Sequence, residues 1–139
     1  MTASEQKPHS GVCIPYHYNT TIIMSTATVA ARLIGLCKEG KFLEAQQELY
    51  HTDIISIDPD GSETVGASNM NEKERQFLAK VEKFHSIDWS EPLIAGSYFT
   101  VTLKMEIEFR KIGNKSLEEV CVYQVRNDKI VFEQFFRDL

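Results

Sequence analysis

From Tyr98 to Arg110 the chain alternates without interruption. Phe99, Val101, Leu103, Met105, Ile107 and Phe109 take one parity; Thr100, Thr102, Lys104, Glu106, Glu108 and Arg110 take the other. A period of two places these sets on opposite faces of a long strand. Leu117–Val125 and Ile130–Phe136 read as two further strands of a hairpin around Arg126-Asn127-Asp128-Lys129, with a preceding turn at Ile112-Gly113-Asn114-Lys115. Both are apolar on each face, so both faces need cover. Upstream the period lengthens. Val29, Leu33, Leu36 and Cys37 mark a helix from Ser25 or Thr26 to about Lys38, ended by Gly40. Phe42, Ala45 and Leu49 mark a second, short helix, and Tyr50-His51-Thr52 reads as the turn into a strand at 54–58. Phe77, Leu78, Val81 and Phe84 stripe a third helix over 69–85. Asn69 and Glu72 are spaced as a capping box, and Lys73 and Glu74 fall among its solvated charges. On this reading His85 caps that helix and His51 lies in a surface turn. Ile87–Ile94 is an irregular strand interrupted by Pro92. Ser62–Val65 reads as a short return strand.

Helices first and a meander afterwards define an α+β plan, with three N-terminal helices packed on one face of a curved, mostly antiparallel sheet. Residues 1–24 lack a period and read as a disordered tail; 25–139 read as one domain. Met24, just before Ser25-Thr26-Ala27, offers an alternative start. His9, Cys13 and His17 are spaced by four, but Gly11 and Pro15 disfavour the helix that would gather them, and no metal site is expected.

Composition narrows the function. The chain has 139 residues, is 42% hydrophobic and carries a formal charge of −5, without a basic stripe for nucleic acid. No apolar run approaches the ~20 residues that span a bilayer. Three scattered cysteines form neither a disulfide framework nor a zinc pair. With no leader-like start, a cytoplasmic location is expected. No cofactor is expected.

Candidate chemistry begins at Ser56-Ile57-Asp58-Pro59-Asp60-Gly61. Asp-Pro and Asp-Gly are strong turn formers. The same turn can aim the Asp58 carboxylate into a pocket, because Pro59 restrains the preceding residue to extended backbone. Strand parity supplies companions. If Tyr123 and Val125 point inward, so do Cys121 and Glu119; on the last strand Val131, Glu133 and Phe135 point inward, and Ser56 joins Asp58. Carboxylates gathered in an apolar cavity cannot all ionise easily, which is the condition for acid–base work near neutrality. The expected catalytic set is Asp58, Glu119 and Tyr123. The expected pocket wall is Ser56, Trp89, Val101, Leu103, Met105, Cys121, Glu133 and Phe135.

Two stretches, Glu48-Leu-Tyr-His-Thr-Asp-Ile-Ile-Ser-Ile-Asp-Pro-Asp-Gly61 and Val122-Tyr-Gln-Val-Arg-Asn-Asp-Lys-Ile-Val-Phe-Glu-Gln-Phe-Phe136, resemble the nuclear transport factor 2-like superfamily. That group includes SnoaL-like polyketide cyclases, ketosteroid isomerase and scytalone dehydratase. The likeness covers about Ala27–Phe136; the family's Asp-Gly-Lys-Ile turn is here Asn127-Asp128-Lys129-Ile130. It implies a cone-shaped fold with a pocket between helices and sheet, and a homodimer through the outer sheet face. Asp58-Pro59 matches the isomerase's proton-moving aspartate. The isomerase's oxyanion donors have no counterpart: the first helix offers Leu33 and no tyrosine, and the penultimate strand offers Cys121. The resemblance therefore implies either a dimeric pocket protein that binds a small apolar ligand or a cofactor-free isomerase, cyclase or dehydratase acting on a carbonyl-bearing molecule.

Overall fold

The computed structural model describes residues 26–139; the His9, Cys13 and His17 positions lie outside them. Helix α1 spans 26–38. It ends in a Schellman arrangement: Gly40, at φ 77°, sends its N–H to the Cys37 carbonyl, and Lys41 sends its own to Leu36. Helix α2 is Phe42–Leu49 and α3 is Ala67–Lys80. The strands are β1 Tyr50–Ile57, β2 Glu63–Val65, β3 Val81–Trp89, β4 Leu93–Ala95, β5 Tyr98–Phe109, β6 Gly113–Arg126 and β7 Lys129–Phe136. They form one sheet in the order β2-β1-β7-β6-β5-β3, with β4 on β5. Among the described residues β1 and β7 are the one parallel pair; the other neighbours are antiparallel. The α+β cone of three helices on a curved, mostly antiparallel sheet is thus the observed architecture.

The alternation of β5 decides the layering. Phe99, Val101, Leu103 and Ile107 are buried on the concave face with Cys121, Tyr123 and Val125 of β6. Val29, Ala30, Leu33 and Leu36 of α1 and Ala45 and Leu49 of α2 belong to the same core. Register shifts in β3 and between β6 and β7 bend the sheet. The second shift pairs Val125 with Ile130 and Gln124 with Phe132. Val131 is therefore the extra residue: Ile130 turns into the core, and Val131, expected inward, is only half-buried.

Four boundaries differ from the periodicity. The strand expected over Ile87–Ile94 is broken at 90–92, where Pro92 lies, so that its ends belong to β3 and β4. The strand after α2 begins at Tyr50, not Ile54. The turn before β6 is 110–112, with Gly113 already paired to Phe109. The third helix stops at Lys80, and Val81–Trp89 is a strand. Phe77, Val81 and Phe84 fit helical spacing, but β5 presents an edge that β3 fills. Arg110 then caps the helix end, its N–H bonding the Lys80 carbonyl at 2.9 Å and its Nε the Ala79 carbonyl at 3.1 Å. His85 accordingly caps nothing. It is an exposed strand residue with Nε2 2.9 Å from a Glu108 carboxylate oxygen. The Asn69–Glu72 capping box is absent too: Gly66 precedes the helix, and Asn69 Nδ2 donates to the Val65 carbonyl at 2.9 Å. At the closing hairpin, Asn127 and Asp128 adopt φ 49° and 63°, which these residues tolerate better than most.

Candidate active site

A cavity of about 240 Å³ opens between the helices and the concave face. Its apolar wall includes Leu33, Phe42, Met70, Phe77, Phe84, Trp89, Leu103, Met105, Leu117 and Phe135. Carboxyl groups enter it in rows fixed by strand register. Trp89, Leu103 and Glu119 lie abreast; Arg137, one residue past the Val120–Phe136 pair, falls beside Glu119. The next inward-facing row holds Val101, Cys121 and Phe135, with Asp58 abreast, one residue past the Ile57–Gln134 pair. The third holds Phe99, Tyr123, Glu133 and Ser56. Rows two residues apart are separated by about 6.6 Å, so Glu119, Asp58 and Glu133 descend in steps.

The turn after β1 divides its work between two aspartates. Asp60 Oδ1 accepts from Ser62 N at 2.9 Å and Ser62 Oγ at 2.7 Å. Those Ser62 bonds hold the Asp60 carboxyl below its usual range. Asp60 thereby serves as the turn aspartate. Asp58 contributes only its backbone to the turn, receiving Gly61 N–H at 2.8 Å. Its carboxylate lines the cavity and is ion-paired with Lys73 of α3.

Glu133 forms the floor. It is 1% exposed; one carboxylate oxygen accepts from the Tyr50 hydroxyl and the other from Ser56 Oγ at 2.7 Å. Burial pushes its carboxyl up to about 7 against the pull of these two donors. Burial also raises Glu119, opposed by Arg137, whose Nη1 donates to it at 3.1 Å, and it raises Glu74. Cys37 lines the cavity as a thiol pushed up to about 12 by burial, and is no nucleophile at neutral pH. Cys37 therefore adds no thiolate to the carboxyl groups of the cavity.

Of the residues singled out from the sequence, Asp58, Trp89, Leu103, Met105, Glu119, Tyr123, Glu133 and Phe135 line the cavity. Ser56, Val101 and Cys121 share their face but not the lining: Ser56 lies behind Glu133, and Val101 and Cys121 are sealed into the core. Tyr123 stacks on Phe99 at 4.7 Å between ring centroids. Five polar lining residues escaped the sequence reading, Gln46 of α2 among them. Tyr50 has the parity of Ser56 and Asp58, but the turn assignment hid it. Arg137 continues the Glu133, Phe135 alternation past the strand end. Lys73 and Glu74 sit between Met70 and Phe77 at helical spacing, on the cavity face rather than in solvent.

A curved sheet closed by three helices over an acid-lined cavity is the nuclear transport factor 2-like cone fold. The family model for the SnoaL-like domain matches residues 24–137, and the chain belongs to that family. Among solved structures, a SnoaL-like protein from Mesorhizobium loti is similar at 23% identity and TM-score 0.72, over 79% of this chain and 97% of that one. TerC, co-crystallized with polyporic acid, is similar at 13% identity and TM-score 0.67, over 82% and 92%. An LEH-like epoxide hydrolase from M. tuberculosis is similar at 9% identity and TM-score 0.68, over 84% of each chain. These likenesses establish the fold. No curated protein matches the chain. Among the described residues no helix is long and apolar enough to cross a membrane, and no cluster of three or more potential ligands for a metal ion occurs.

Proposed function

We propose that this protein is a small-molecule pocket protein that encloses a compact, largely apolar ligand. The observation that carries this reading is Glu133: an acid buried at the end of an open cavity whose wall is largely apolar, where a structural core would place a hydrophobe. The volume lies just below the ~300–1,000 Å³ usual for ligand pockets, and suits a molecule of one or two rings. TerC, on the same fold, was co-crystallized with polyporic acid, which supports a cavity of this type taking ring compounds. Native mass spectrometry of the purified protein is expected to show one small molecule per chain. A protein that purifies empty, and binds none of a panel of two-ring ketones and phenols, would refute the reading.

A second reading has one specific support, the presence of Asp58 in the same cavity as Glu133. Here the protein is a cofactor-free isomerase, cyclase or dehydratase, with Asp58 as general base and Glu119 and Tyr123 at the reacting group. Replacing Asp58 with Asn is expected to change stability by less than about 1 kcal/mol, since its partner Lys73 is part-exposed. Turnover of the ligand is expected to fall at least ~100-fold. Unchanged turnover in D58N would remove Asp58 from the chemistry.

The outer face of the sheet supports a homodimer. Val120 and Phe136 are paired and exposed, as are Ile55 and Val65; Ile55 lies abreast of Phe132. A self-complementary partner would cover them. Light scattering is expected to give twice the 15.9 kDa chain mass, and Phe136→Glu is expected to give the monomer. A wild-type monomer at micromolar concentration would overturn this assembly.

A further inference from the structure

Four carboxyl groups and two cationic side chains line the cavity. Both cations are engaged: Lys73 is ion-paired with Asp58, and Arg137 with Glu119 at 3.1 Å. Glu133 has its two donors, Tyr50 and Ser56. Glu74 is the remainder. Among the described residues no hydrogen bond or ion pair reaches its carboxylate. Burial raises this carboxyl, opposed by Lys73, its neighbour in the helix, whose ammonium is bonded to Asp58. A largely desolvated carboxylate without a partner is costly.

Helical spacing sets where Glu74 points. Met70, Glu74 and Phe77 fall on one stripe of α3 and line the cavity together. The negative charge of Glu74 raises the Cys37 thiol of α1, the Tyr50 hydroxyl of β1 and the Glu133 carboxyl of β7. Glu74 therefore faces the inner end of the cavity, toward Glu133. The walls suit a positive charge as well. The phenyl rings of Phe42, Phe77 and Phe84 line the same space, the first and last 5.3 Å apart between centroids. Aromatic faces attract cations.

We propose that the cavity selects a cationic amine, its protonated or quaternary nitrogen held at Glu74 and its apolar body lying against Phe42, Phe77 and Phe84. This rests on the pocket reading and adds the ligand's charge and the residue that selects it. Glu74 is then a specificity-determining residue. A hydrocarbon of the same shape fills the space but leaves the carboxylate unpaired, and an anion is repelled by it.

The matched probes are 2-aminotetralin, tetralin and tetralin-2-carboxylate, used near neutral pH, where the amine is protonated. Calorimetry is expected to show the amine binding about tenfold tighter than tetralin, with the carboxylate weakest. Glu74→Gln is expected to bring amine and hydrocarbon within about threefold of each other. In the wild type, carbon-detected NMR is expected to show the Glu74 carboxyl carbon moving with the amine and not with tetralin. That signal decides the matter even if the variant misfolds. Equal affinity for amine and hydrocarbon, or tightest binding by the carboxylate, overturns the proposal and leaves the pocket reading standing. An amine preference that survives in Glu74→Gln, with the Glu74 carbon unmoved, overturns Glu74 as the selecting residue. Failure of all three to bind overturns the pocket reading, and this proposal with it.

Discussion

Replacing Glu133 with Gln is expected to stabilise the protein at pH 8 by about 3 kcal/mol and to change its stability little below pH 4. The carboxyl titrates at about 7 in the folded chain, raised first by burial, against an ordinary 4.5. Between those values the folded chain keeps a proton that the unfolded chain has released. Stability contributed by this group is therefore complete below pH 4.5, declines as the pH rises to about 7, and is flat above. The interval, at roughly 1.4 kcal/mol per pH unit, gives the stated size. Glutamine retains both bonds: its carbonyl accepts from the Tyr50 hydroxyl and its amide donates to Ser56 Oγ. Urea unfolding of both proteins at pH 4, 6 and 8 tests this. A difference that does not vary with pH would show that Glu133 is not held protonated. An acid that destabilises the fold at neutral pH, where its amide would not, serves something other than stability, as the proposed pocket function requires of Glu133.

Phe99→Ala is expected to cost about 3–5 kcal/mol, a large part of the ~5–15 kcal/mol available to a domain of this size. Phe99 is 1% exposed, stacks on Tyr123 with 17° between ring planes, and lies at the centre of a row running from Ile94 through Phe99 and Tyr123 to Glu133. Its removal leaves a void beside the stacked tyrosine, the neighbour of the buried acid in that row. Denaturant unfolding gives the value directly. A loss under about 1.5 kcal/mol would mean that the sheet collapses into the space, and that the row does not brace the cavity floor.

How much of the site was legible follows from which periods reach which residues. Strict alternation in β5 specifies its two faces without outside help, and register carries that choice to β6 and β7 through directly paired residues. Glu119, Tyr123, Glu133 and Phe135 were therefore readable as one face. The extension fails at Val131, because a bulge breaks the count and no residue type there announces it. It fails again at Val81–Phe84, where spacing suits helix and strand equally and the unfilled edge of β5 decides. The aspartates of the Asp58–Gly61 turn were readable as a pair, but not their division: Ser62 engages Asp60, and Lys73 arrives from a helix fifteen residues away in sequence.

The sequence by itself determined the order of the helices and long strands and the faces of those strands, because these depend on periods and turn residues local to each segment; the cone came from the resemblance of two stretches to a known superfamily. Only the tertiary structure decided the chemistry of the cavity. Tyr50 and Glu133 are separated by 83 positions and Ser56 and Glu133 by 77; they meet because β1 lies parallel to β7 across a register shift. The elevated Glu133 carboxyl, the Asp58–Lys73 pair and the unpartnered Glu74 carboxylate arise from burial and distance between segments remote in the chain, and no local pattern of residues encodes either quantity.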